Sequence, residues 1–329
     1  MKFSIIIPTH NRRELLQRVL STVFEQTYSS SEFEVIVVAS PGDSAFETVS
    51  QSAEGRSVSV RCVGIYEDPW QGKNASAKRN YGASLARGEW LAFIDDDCEA
   101  DPRWLEEADL LLKDNVALEG CKKIPVPPKE TYTYRGLKSF EKPGGYQSCN
   151  MFYRRDVFLK LGGFDLRFPF YLEDTDFAWS VIDNGFQIPH ASNAIVRHPV
   201  VPAAPWRLLD DSKRTILLPL LKNKHPEIYR QKISRLLQWN HKAYLIMWLL
   251  LLVLVIRYNW DGLPMGGLFL FSLTGVDLAR RYWGCRVSVN ELAVTCLLIP
   301  FVPLIRLIQY ARGLYRYRHI LPTARSIQI

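Results

Sequence analysis

The sequence predicts an α/β fold with a mainly parallel sheet, followed by an apolar α-helical region that associates with a membrane. Three observations carry this prediction. Strand-like and helix-like segments alternate through the N-terminal third, polar clusters follow several of the strand-like segments, and long uncharged runs appear after residue 240. Such alternation is typical of a sheet covered by helices on both faces, whereas long uncharged runs are typical of membrane helices.

The strand-like segments are short apolar runs rich in β-branched residues. They are Phe3–Ile7, Glu34–Val38, Val58–Val63 and Trp90–Ile94. Between them, Arg12–Gln26 carries leucine and valine at helical spacing, and Asn74–Arg87 is a helix-like run of small residues that ends at Gly88. Strands that are apolar on both faces indicate a sheet buried on both sides. The ligand crevice of such a sheet lies beyond the carboxyl ends of its strands.

Three consecutive aspartates, Asp95, Asp96 and Asp97, directly follow the last of these strands. Carboxylates held this close together repel one another unless a cation joins them. An all-oxygen site is typical of Mg²⁺ or Mn²⁺, which is commonly shared with the phosphates of a nucleotide. A solvated acidic turn is the alternative. The strand before the aspartates and the helix start at Asp101–Leu105 after them favour a binding site.

A second acidic cluster opens a predicted helix further along the chain. Glu173, Asp174 and Asp176 precede the helix-spaced Phe177 and Val181. Acidic residues are ordinary in a first helical turn, because they cap free N–H groups and meet the positive end of the helix dipole. The pattern alone leaves two interpretations open, a structural helix start and a functional pair of carboxylates.

Four motifs, in this order, resemble the family 2 glycosyltransferases of the GT-A fold. The resemblance runs from about Phe3 to His198. The motifs are Ile7-Pro8-Thr9-His10-Asn11-Arg12, then Ala77-Lys78-Arg79-Asn80-Tyr81-Gly82 with Gly88-Glu89-Trp90, then Phe93-Ile94-Asp95-Asp96-Asp97, and finally Gly162-Gly163-Phe164-Asp165 followed by Glu173-Asp174. The resemblance implies a Rossmann-like GT-A catalytic domain that transfers a sugar from a nucleotide-diphosphate donor.

The resemblance also implies which residues hold the nucleotide of the donor. Pro8, Thr9 and Asn11 would lie beside the base and ribose. Lys78 and Arg79 would neutralise the pyrophosphate, with ordinary helix-surface cations as the alternative for both.

The metal ligands and the catalytic base are implied in the same way. Asp95 and Asp97 would hold Mg²⁺ or Mn²⁺ on the diphosphate, with His198 as a further ligand, and Asp96 would lie close to the ribose or donor sugar. Asp174 would be the general base that deprotonates the acceptor hydroxyl. This is the chemistry of an inverting transfer, because a metal offsets the charge on the leaving diphosphate while one carboxylate activates the acceptor.

The sequence departs from the family pattern in two places. Where relatives carry an acidic pair after the second strand, this chain has Ala39 and Ser40. Either the base is held differently, with Asp43 as a candidate, or base selectivity is relaxed. This departure from the family pattern argues against the expected UDP-sugar donor. The string Gln-x-x-Arg-Trp of processive members does not occur in the sequence. Its absence favours the addition of a single sugar per acceptor.

Charge is unevenly distributed along the chain. Residues 1–200 carry 23 Lys/Arg and 28 Asp/Glu, a net charge of −5, whereas residues 201–329 carry 18 and 6, a net charge of +12. A basic and very apolar C-terminal part indicates a membrane surface and argues against nucleic acid as a partner. The six cysteines form no CxxC pair, and the run Phe3–Ile7 is too short for a secretory signal. We therefore expect reduced thiols and a catalytic domain on the cytosolic face of the cytoplasmic membrane.

The predicted organisation has three parts: a GT-A domain at 1–205, a helical linker at 206–240 and membrane-associated helices at 241–329. Two spans, about 243–257 and 263–279, are predicted around the uncharged runs 243–256 and 262–276. The third apolar segment, 291–310, contains Pro300 and Pro303. It is predicted to be re-entrant or interfacial, because this keeps the basic tail on the cytosolic side. A buried helical subdomain is the alternative for the whole region.

The leading hypothesis is a membrane-bound, inverting, metal-dependent glycosyltransferase that adds one sugar to a lipid-linked or cell-envelope glycan acceptor. A polyprenyl-phosphate sugar synthase is the nearest alternative enzyme. Its acceptor is already a phosphate, which has little need of the base Asp174. A membrane scaffold that binds a nucleotide sugar without turnover is the alternative outside the enzymes, motivated by the altered Ala39-Ser40 position.

Overall fold

The part of the chain that the structure describes divides into two units. The computed structural model describes residues 1–65, 74–125, 142–169, 171–199, 206–233, 239–258, 263–282 and 288–322. The first unit extends to Pro199, and the second contains the described residues from 206 onwards. Each is built around different secondary structure, and each is described by itself.

One mixed sheet organises the first unit. Its described strands are β1 (Phe3–Pro8), β2 (Phe33–Ala39), β3 (Ser59–Gly64), β4 (Trp90–Phe93), β5 (Glu99–Ala100), β6 (Ala117–Lys123), β7 (Met151–Arg154) and β8 (His190–Arg197). The order is β3-β2-β1-β4-β7-β6-β8-β5. Strands β1, β2, β3 and β4 are mutually parallel, with Ile6 opposite both Ile36 and Phe93. Strand β7 runs antiparallel to β4 and β6, which makes the sheet mixed, mostly parallel.

Six described helices accompany this sheet. They are α1 (Arg13–Phe24), α2 (Ala45–Ala53), α3 (Ala75–Leu85), α4 (Trp104–Asp109), α5 (Arg155–Lys160) and α6 (Glu173–Asp183). Helix α1 buries Leu16, Val19, Leu20 and Val23, the spacing of one helical face. Strands β1, β2 and β4 are buried at every position. The predicted α/β architecture is therefore confirmed, with layers on both faces of its first strands.

Helix α3 packs unusually close to the sheet because it contains Gly82. A Cβ atom at this position would lie 2.7 Å from Cγ2 of Ile6 and 3.1 Å from Cγ2 of Val38. The absent side chain lets α3 approach the carboxyl ends of β1 and β2. This close approach places the basic residues Lys78 and Arg79 of α3 at the ligand-binding edge of the sheet.

The antiparallel half of the sheet is joined by one buried carboxamide, that of Asn150 in the short 3₁₀ turn Ser148–Asn150. Its Oδ1 accepts from Nε1 of Trp104 at 2.8 Å. Its Nδ2 donates to the carbonyl oxygens of Cys121 at 3.0 Å and Ala194 at 2.8 Å. Gly120 leaves the room that this amide occupies, since a Cβ there would lie 2.2 Å from Oδ1. Helix α4, β6 and β8 are thus tied to the segment that leads into β7.

The secondary structure described in the second unit is entirely helical. Its helices are α7 (Arg207–Lys213), α8 (Leu218–Lys224), α9 (Pro226–Lys232), α10 (Trp239–Tyr258), α11 (Leu263–Tyr282), α12 (Val289–Leu298) and α13 (Val302–Arg316), with 3₁₀ turns at Arg214–Leu217 and Ile299–Phe301. Asn223 donates to the carbonyl oxygen of Tyr317 at 2.9 Å, and Thr215 donates to that of Arg306 at 3.2 Å. These bonds hold α13 against the helices that begin the unit.

Two stretches of the described chain are long and apolar enough to cross a membrane, by length and composition. They are Asn240–Tyr258, 19 residues with a mean hydropathy of 1.6, and Val289–Arg316, 28 residues with a mean hydropathy of 2.0. The first coincides with the predicted span 243–257. The second overlaps the segment 291–310, whose re-entrant or interfacial placement stays a prediction, as does the predicted span 263–279.

The helices in these two C-terminal segments differ in composition and continuity. Helix α11 carries Asp277, Arg280 and Arg281 in its last turns, which lowers its hydropathy. By contrast, α12 continues into α13 through a 3₁₀ turn at Pro300, so the prolines do not end the helical run. Proline is tolerated here because each lies in the first turn of its element, where its missing N–H would be unpaired anyway.

Candidate active site

A cavity of about 400 Å³ lies at the carboxyl ends of β1 and β4. Its lining residues are Pro8, Thr9, His10, Arg12, Ala75, Lys78, Arg79, Asp95, Asp96 and Asp97. Seven residues that the sequence singled out therefore meet in one place: Pro8, Thr9, Lys78, Arg79, Asp95, Asp96 and Asp97. Asn11, Asp174 and His198 are not among the lining residues, and their positions are described below.

The segment after β1 is fastened to the middle aspartate. Thr9 donates from Oγ1 to Oδ2 of Asp96 at 2.8 Å, and Nη1 of Arg12 lies 3.0 Å from Oδ1 of the same carboxylate. Arg12 also lies 3.3 Å from Oδ2 of Asp97. Burial raises the pKa of Asp96, although the Thr9 hydroxyl and the Arg12 guanidinium oppose the rise. Asp96 thus orders the β1 loop as well as lining the cavity.

Asn11 turns the chain away from β1 in a left-handed conformation. Its φ is +52°, a region in which asparagine is several-fold enriched. Its backbone N–H donates to Oδ2 of Asp43 at 2.7 Å, and Oδ1 of Asp43 accepts from the N–H of Ala45 at 2.9 Å. Both carboxylate oxygens of Asp43 therefore hold backbone groups. This gives Asp43 a structural task that the sequence did not reveal.

Lys78 is buried beneath the loops that follow β1 and β2. Its side-chain nitrogen donates to the carbonyl oxygen of Thr9 and, at 3.0 Å, to Oγ of Ser40. Nδ1 of His10 lies 2.7 Å from the same hydroxyl oxygen. Because Lys78 is only 2% exposed, the alternative of an ordinary helix-surface cation is excluded. Ser40, which replaces the acidic residue of the family pattern, is therefore a hydrogen-bonding centre between the two loops.

Arg79 joins the first aspartate of the triplet to the second acidic cluster. Its Nη2 lies 2.5 Å from Oδ1 of Asp95, and its Nη1 lies 3.3 Å from Oε1 of Glu173. The guanidinium stands 5.8 Å from the ring centre of Phe164. Burial lowers the pKa of Arg79, but Asp95 and Glu173 outweigh it, so the pKa lies above the ordinary value and the side chain stays charged. The cation predicted for the pyrophosphate is already paired with two carboxylates.

Asp97 points towards His198, at the end of β8. Oδ1 of Asp97 lies 3.5 Å from Nε2 of His198 and 3.7 Å from Sγ of Cys98. The ligand atoms of these three residues all lie within 4.8 Å of one another. A carboxylate oxygen and an imidazole nitrogen at this separation fit a divalent ion, as the sequence predicted for Asp97 and His198.

Asp174 lies in the first turn of α6, next to Glu173. The preceding residue, Leu172, has a φ of +71°, which is costly for a leucine and turns the chain sharply into the helix. Asp174 accepts from the backbone N–H of Thr175 at 2.7 Å. Burial raises the pKa of Asp174, opposed by the Thr175 N–H and by Arg79. Burial, together with the charge of Asp174, raises the pKa of Glu173 to about 7.

The turn before α6 is clamped to α3 by Asn80. The side chain of Asn80 donates to the carbonyl oxygen of Phe164 at 2.8 Å and accepts from the Phe164 N–H at 2.9 Å. Gly163 has a φ of +67°, and a Cβ there would lie 2.6 Å from Oδ1 of Asn80. Two of the sequence motifs therefore contact each other, and the glycine is required by both conformation and space.

Sequence reasoning missed three residues of this site. Arg12 and Ser40 were seen only as parts of motifs, and Glu173 only as the neighbour of Asp174. The signal for Glu173 was present, because two adjacent acids at a buried helix start predict coupled pKa values. No sequence pattern pairs Arg12 with Asp96, since 84 residues separate them.

The mostly parallel sheet, with a triple aspartate beyond β4 and buried cations beside it, has the GT-A fold. Residues 4–162 match the family described as Glycosyl transferase family 2. Over these residues, the chain is similar to the family 2 glycosyltransferases.

Named glycosyltransferases are similar to the same part of the chain. Glycosyltransferase AglE of Haloferax volcanii is 29% identical over 212 residues, which are 60% of this chain and 67% of that protein. A glucosyl-dolichyl phosphate glucuronosyltransferase of the same organism is 27% identical over 184 residues, 50% of this chain and 56% of that protein. The chain thus spans about half to two thirds of the length of these relatives.

The mannosyltransferase PcManGT of Pyrobaculum calidifontis, solved with GDP-Man and Mn²⁺, shares the fold. It superposes with a TM-score of 0.60 at 18% identity, covering 94% of this chain and 87% of that chain. At this identity the similarity concerns the fold alone.

Proposed function

We propose that the chain is an inverting, metal-dependent glycosyltransferase that moves one sugar from a nucleotide-diphosphate donor to a lipid-linked or cell-envelope glycan acceptor. The observation that carries the proposal is the meeting of Asp95, Asp96 and Asp97 with Lys78 and Arg79 around one cavity. Carboxylates that hold a divalent ion, with cations beside them, suit a bound diphosphate. PcManGT, with the same fold, carries Mn²⁺ and a nucleotide sugar in its structure.

Mg²⁺ or Mn²⁺ would be held by Asp95, Asp97 and His198. When bound, the ion supplies a positive charge that offsets the charge developing on the leaving diphosphate. The residues of the chain contribute the rest. Arg79 keeps Asp95 oriented, and Asp96 fixes the β1 loop through Thr9, so that Pro8, Thr9 and Asn11 present a defined edge to base and ribose.

Asp174 takes the role of general base in this proposal. A carboxylate with a raised pKa is a better proton acceptor than an ordinary one, and burial raises the pKa of Asp174. The left-handed turn at Leu172 and the clamp of Asn80 on Phe164 fix the start of α6. A proton removed from the acceptor hydroxyl passes to a carboxylate oxygen of Asp174 as the oxygen attacks the sugar.

The donor is proposed to be a UDP-sugar or another nucleoside-diphosphate sugar. Ser40 and Asp43 have internal partners, which leaves base recognition to other groups of the β1 and β2 loops. PcManGT binds GDP-Man, so the shared fold admits a purine nucleotide. We propose that base selectivity is relaxed at this position.

A lipid-linked acceptor at the cytosolic face of the cytoplasmic membrane is supported by three features. One relative bears a glucosyl-dolichyl phosphate in its name. The described helix α10 also exposes large apolar side chains, among them Ile246, Leu249 and Ile256. The net charge of +12 in residues 201–329 suits an anionic membrane surface. We therefore propose the catalytic domain at 1–205, the linker at 206–240 and membrane-associated helices at 241–329.

A panel of nucleotide sugars with Mn²⁺ or Mg²⁺ and a membrane lipid extract tests this function, with the mass of any new glycolipid as the readout. We expect one sugar to be added by the wild-type chain, and transfer to fall at least about 100-fold in both Asp97→Ala and Asp174→Asn. Transfer that survives both substitutions would refute the mechanism.

The same panel separates the two alternative functions. Transfer to a polyprenyl phosphate that is insensitive to Asp174→Asn identifies a polyprenyl-phosphate sugar synthase. Metal-dependent nucleotide binding by calorimetry, without transfer to any acceptor, identifies a scaffold.

A further inference from the structure

Asp97, Cys98 and His198 bring three different ligand atoms to one point beside the aspartate triplet. They offer a carboxylate oxygen, a thiol sulfur and an imidazole nitrogen, all within 4.8 Å of one another. Hard cations such as Mg²⁺ and Mn²⁺ prefer oxygen, whereas thiolate and imidazole suit Zn²⁺. We propose that these three residues form a binding site for a thiophilic divalent cation, of which Zn²⁺ is the type.

The distances in the cluster match the geometry of a tetrahedral zinc site. Zinc bonds to oxygen, nitrogen and sulfur are about 2.0–2.3 Å long, so neighbouring ligands of a tetrahedral ion lie about 3.3–3.8 Å apart. Oδ1 of Asp97 lies 3.5 Å from Nε2 of His198 and 3.7 Å from Sγ of Cys98. Both separations are edges of such a tetrahedron. The remaining pair, at most 4.8 Å apart, needs a movement of no more than about 1.3 Å.

Burial gives the site a closed side and an open side. Cys98 is 1% exposed and belongs to the hydrophobic core, whereas the side chains of Asp97 and His198 are 18% and 27% exposed. In this proposal an ion enters on the exposed side, past Asp97 and His198, and then binds the buried sulfur of Cys98. The thiol proton is released to solvent as the metal–sulfur bond forms.

The site shares Asp97 and His198 with the Mg²⁺ or Mn²⁺ ligands of the proposed function, and its effect on transfer rests on that function. Zinc held by Cys98 keeps both shared residues from the catalytic ion. Zinc therefore inhibits sugar transfer and competes with Mn²⁺. The binding itself depends only on the three side chains.

Cobalt titration of the full-length, chelator-treated chain tests the binding without any substrate. Co²⁺ bound to a thiolate gives a sulfur-to-metal charge-transfer absorption, which Zn²⁺ removes when it displaces the cobalt. We expect this band in the wild type and in the control Cys62→Ser, whose thiol is partly buried in β3. Cys98→Ser should lose the band, and His198→Gln should weaken Co²⁺ binding at least about tenfold.

A band of unchanged strength in Cys98→Ser, or no band in the wild type at millimolar Co²⁺, overturns the site. His198→Gln guards against misfolding of Cys98→Ser, because His198 is partly exposed and lies outside the hydrophobic core; unchanged affinity in this variant also overturns the site. Where transfer is measurable, Zn²⁺ should inhibit the wild type and Cys62→Ser, with at least about a tenfold weaker effect in Cys98→Ser. If the chain transfers no sugar, the cobalt result still decides the site while the proposed function fails.

Discussion

The buried Arg79 forms an ion pair with the partly exposed Asp95, with Nη2 of the arginine 2.5 Å from Oδ1 of the aspartate. Arg79 belongs to α3 and Asp95 follows β4, so the pair ties a helix to the ligand-binding edge of the sheet. The same guanidinium contacts Glu173 on its other side. Asp95, a predicted metal ligand, therefore shares the cation of Arg79 with Glu173, the neighbour of the predicted base Asp174.

Arg79→Met tests how much stability this shared cation provides. Removing it leaves Asp95 and Glu173 without their partner, and the loss of one member of a buried pair costs about 3–5 kcal/mol. We expect the free energy of unfolding in denaturant to fall by about that amount. The matched control is Arg13→Met, whose side chain is 44% exposed and pairs with the exposed Glu47; it should change stability by less than about 1 kcal/mol. Equal losses in the two variants would contradict a special role for Arg79.

Asp174→Asn tests the base separately from donor binding. The amide keeps the shape of the side chain but accepts no proton, so kcat for a hydroxyl acceptor should fall by about 10²–10⁴. Nucleotide affinity, measured by calorimetry, should stay within about threefold of the wild type, since Asp174 is not among the lining residues of the cavity. Asp156→Asn is the control, because that side chain is 67% exposed. A parallel loss of nucleotide affinity would assign Asp174 to the donor instead.

Glu173→Gln should change the pH dependence of stability. Burial and the charge of Asp174 raise the pKa of Glu173 to about 7 from an ordinary 4.5. The folded chain then binds more protons than the unfolded chain between these values, so the contribution of Glu173 to stability falls as pH rises through this window. Unfolding in denaturant at several pH values should show the wild type losing stability relative to Glu173→Gln from about pH 4.5 to 7. A relative gain over that range would show that Arg79 outweighs burial.

Gly82→Ala tests the close approach of α3 to the sheet. A Cβ at this position would lie 2.7 Å from Cγ2 of Ile6, so the sheet or the helix must move, at a cost of about 1–3 kcal/mol. Gly275→Ala in α11 is the matched change, since a Cβ there meets nothing within 4 Å. It should be neutral or stabilising by up to about 1 kcal/mol. Thermal unfolding distinguishes the two, and equal effects would contradict steric exclusion at Gly82.

The parallel part of the fold was predictable because its signals are local. The runs around Phe3–Ile7, Glu34–Val38 and Trp90–Ile94 are apolar on both faces, and the structure buries each of them. The antiparallel part was not predictable in the same way. Asn150, directly before β7, forms hydrogen bonds with residues of β6, β8 and α4 that lie far away in the chain. No periodicity in the sequence predicts such pairing.

The site was predicted as a set of residues but not as a network. The motifs that resemble the family predicted Thr9, Lys78 and Asp95 as donor-site residues, and all three line one cavity in the structure. Their individual roles stay predictions. The partners that orient them, such as Arg12 for Asp96, depend on backbone turns whose geometry the sequence does not state. The left-handed Leu172 is the clearest example, because glycine is the residue expected there.

Asn150 has a consequence for how the chain opens. Its single carboxamide is the shared hydrogen-bond partner of Trp104, Cys121 and Ala194. Segments that depend on one buried group open together, as one cooperative unit, and not one at a time. Amide hydrogens of α4, β6 and β8 should therefore exchange with deuterium at a common rate. Asn150→Ala should raise that rate in all three elements while leaving the amides of β1 and β2 slow.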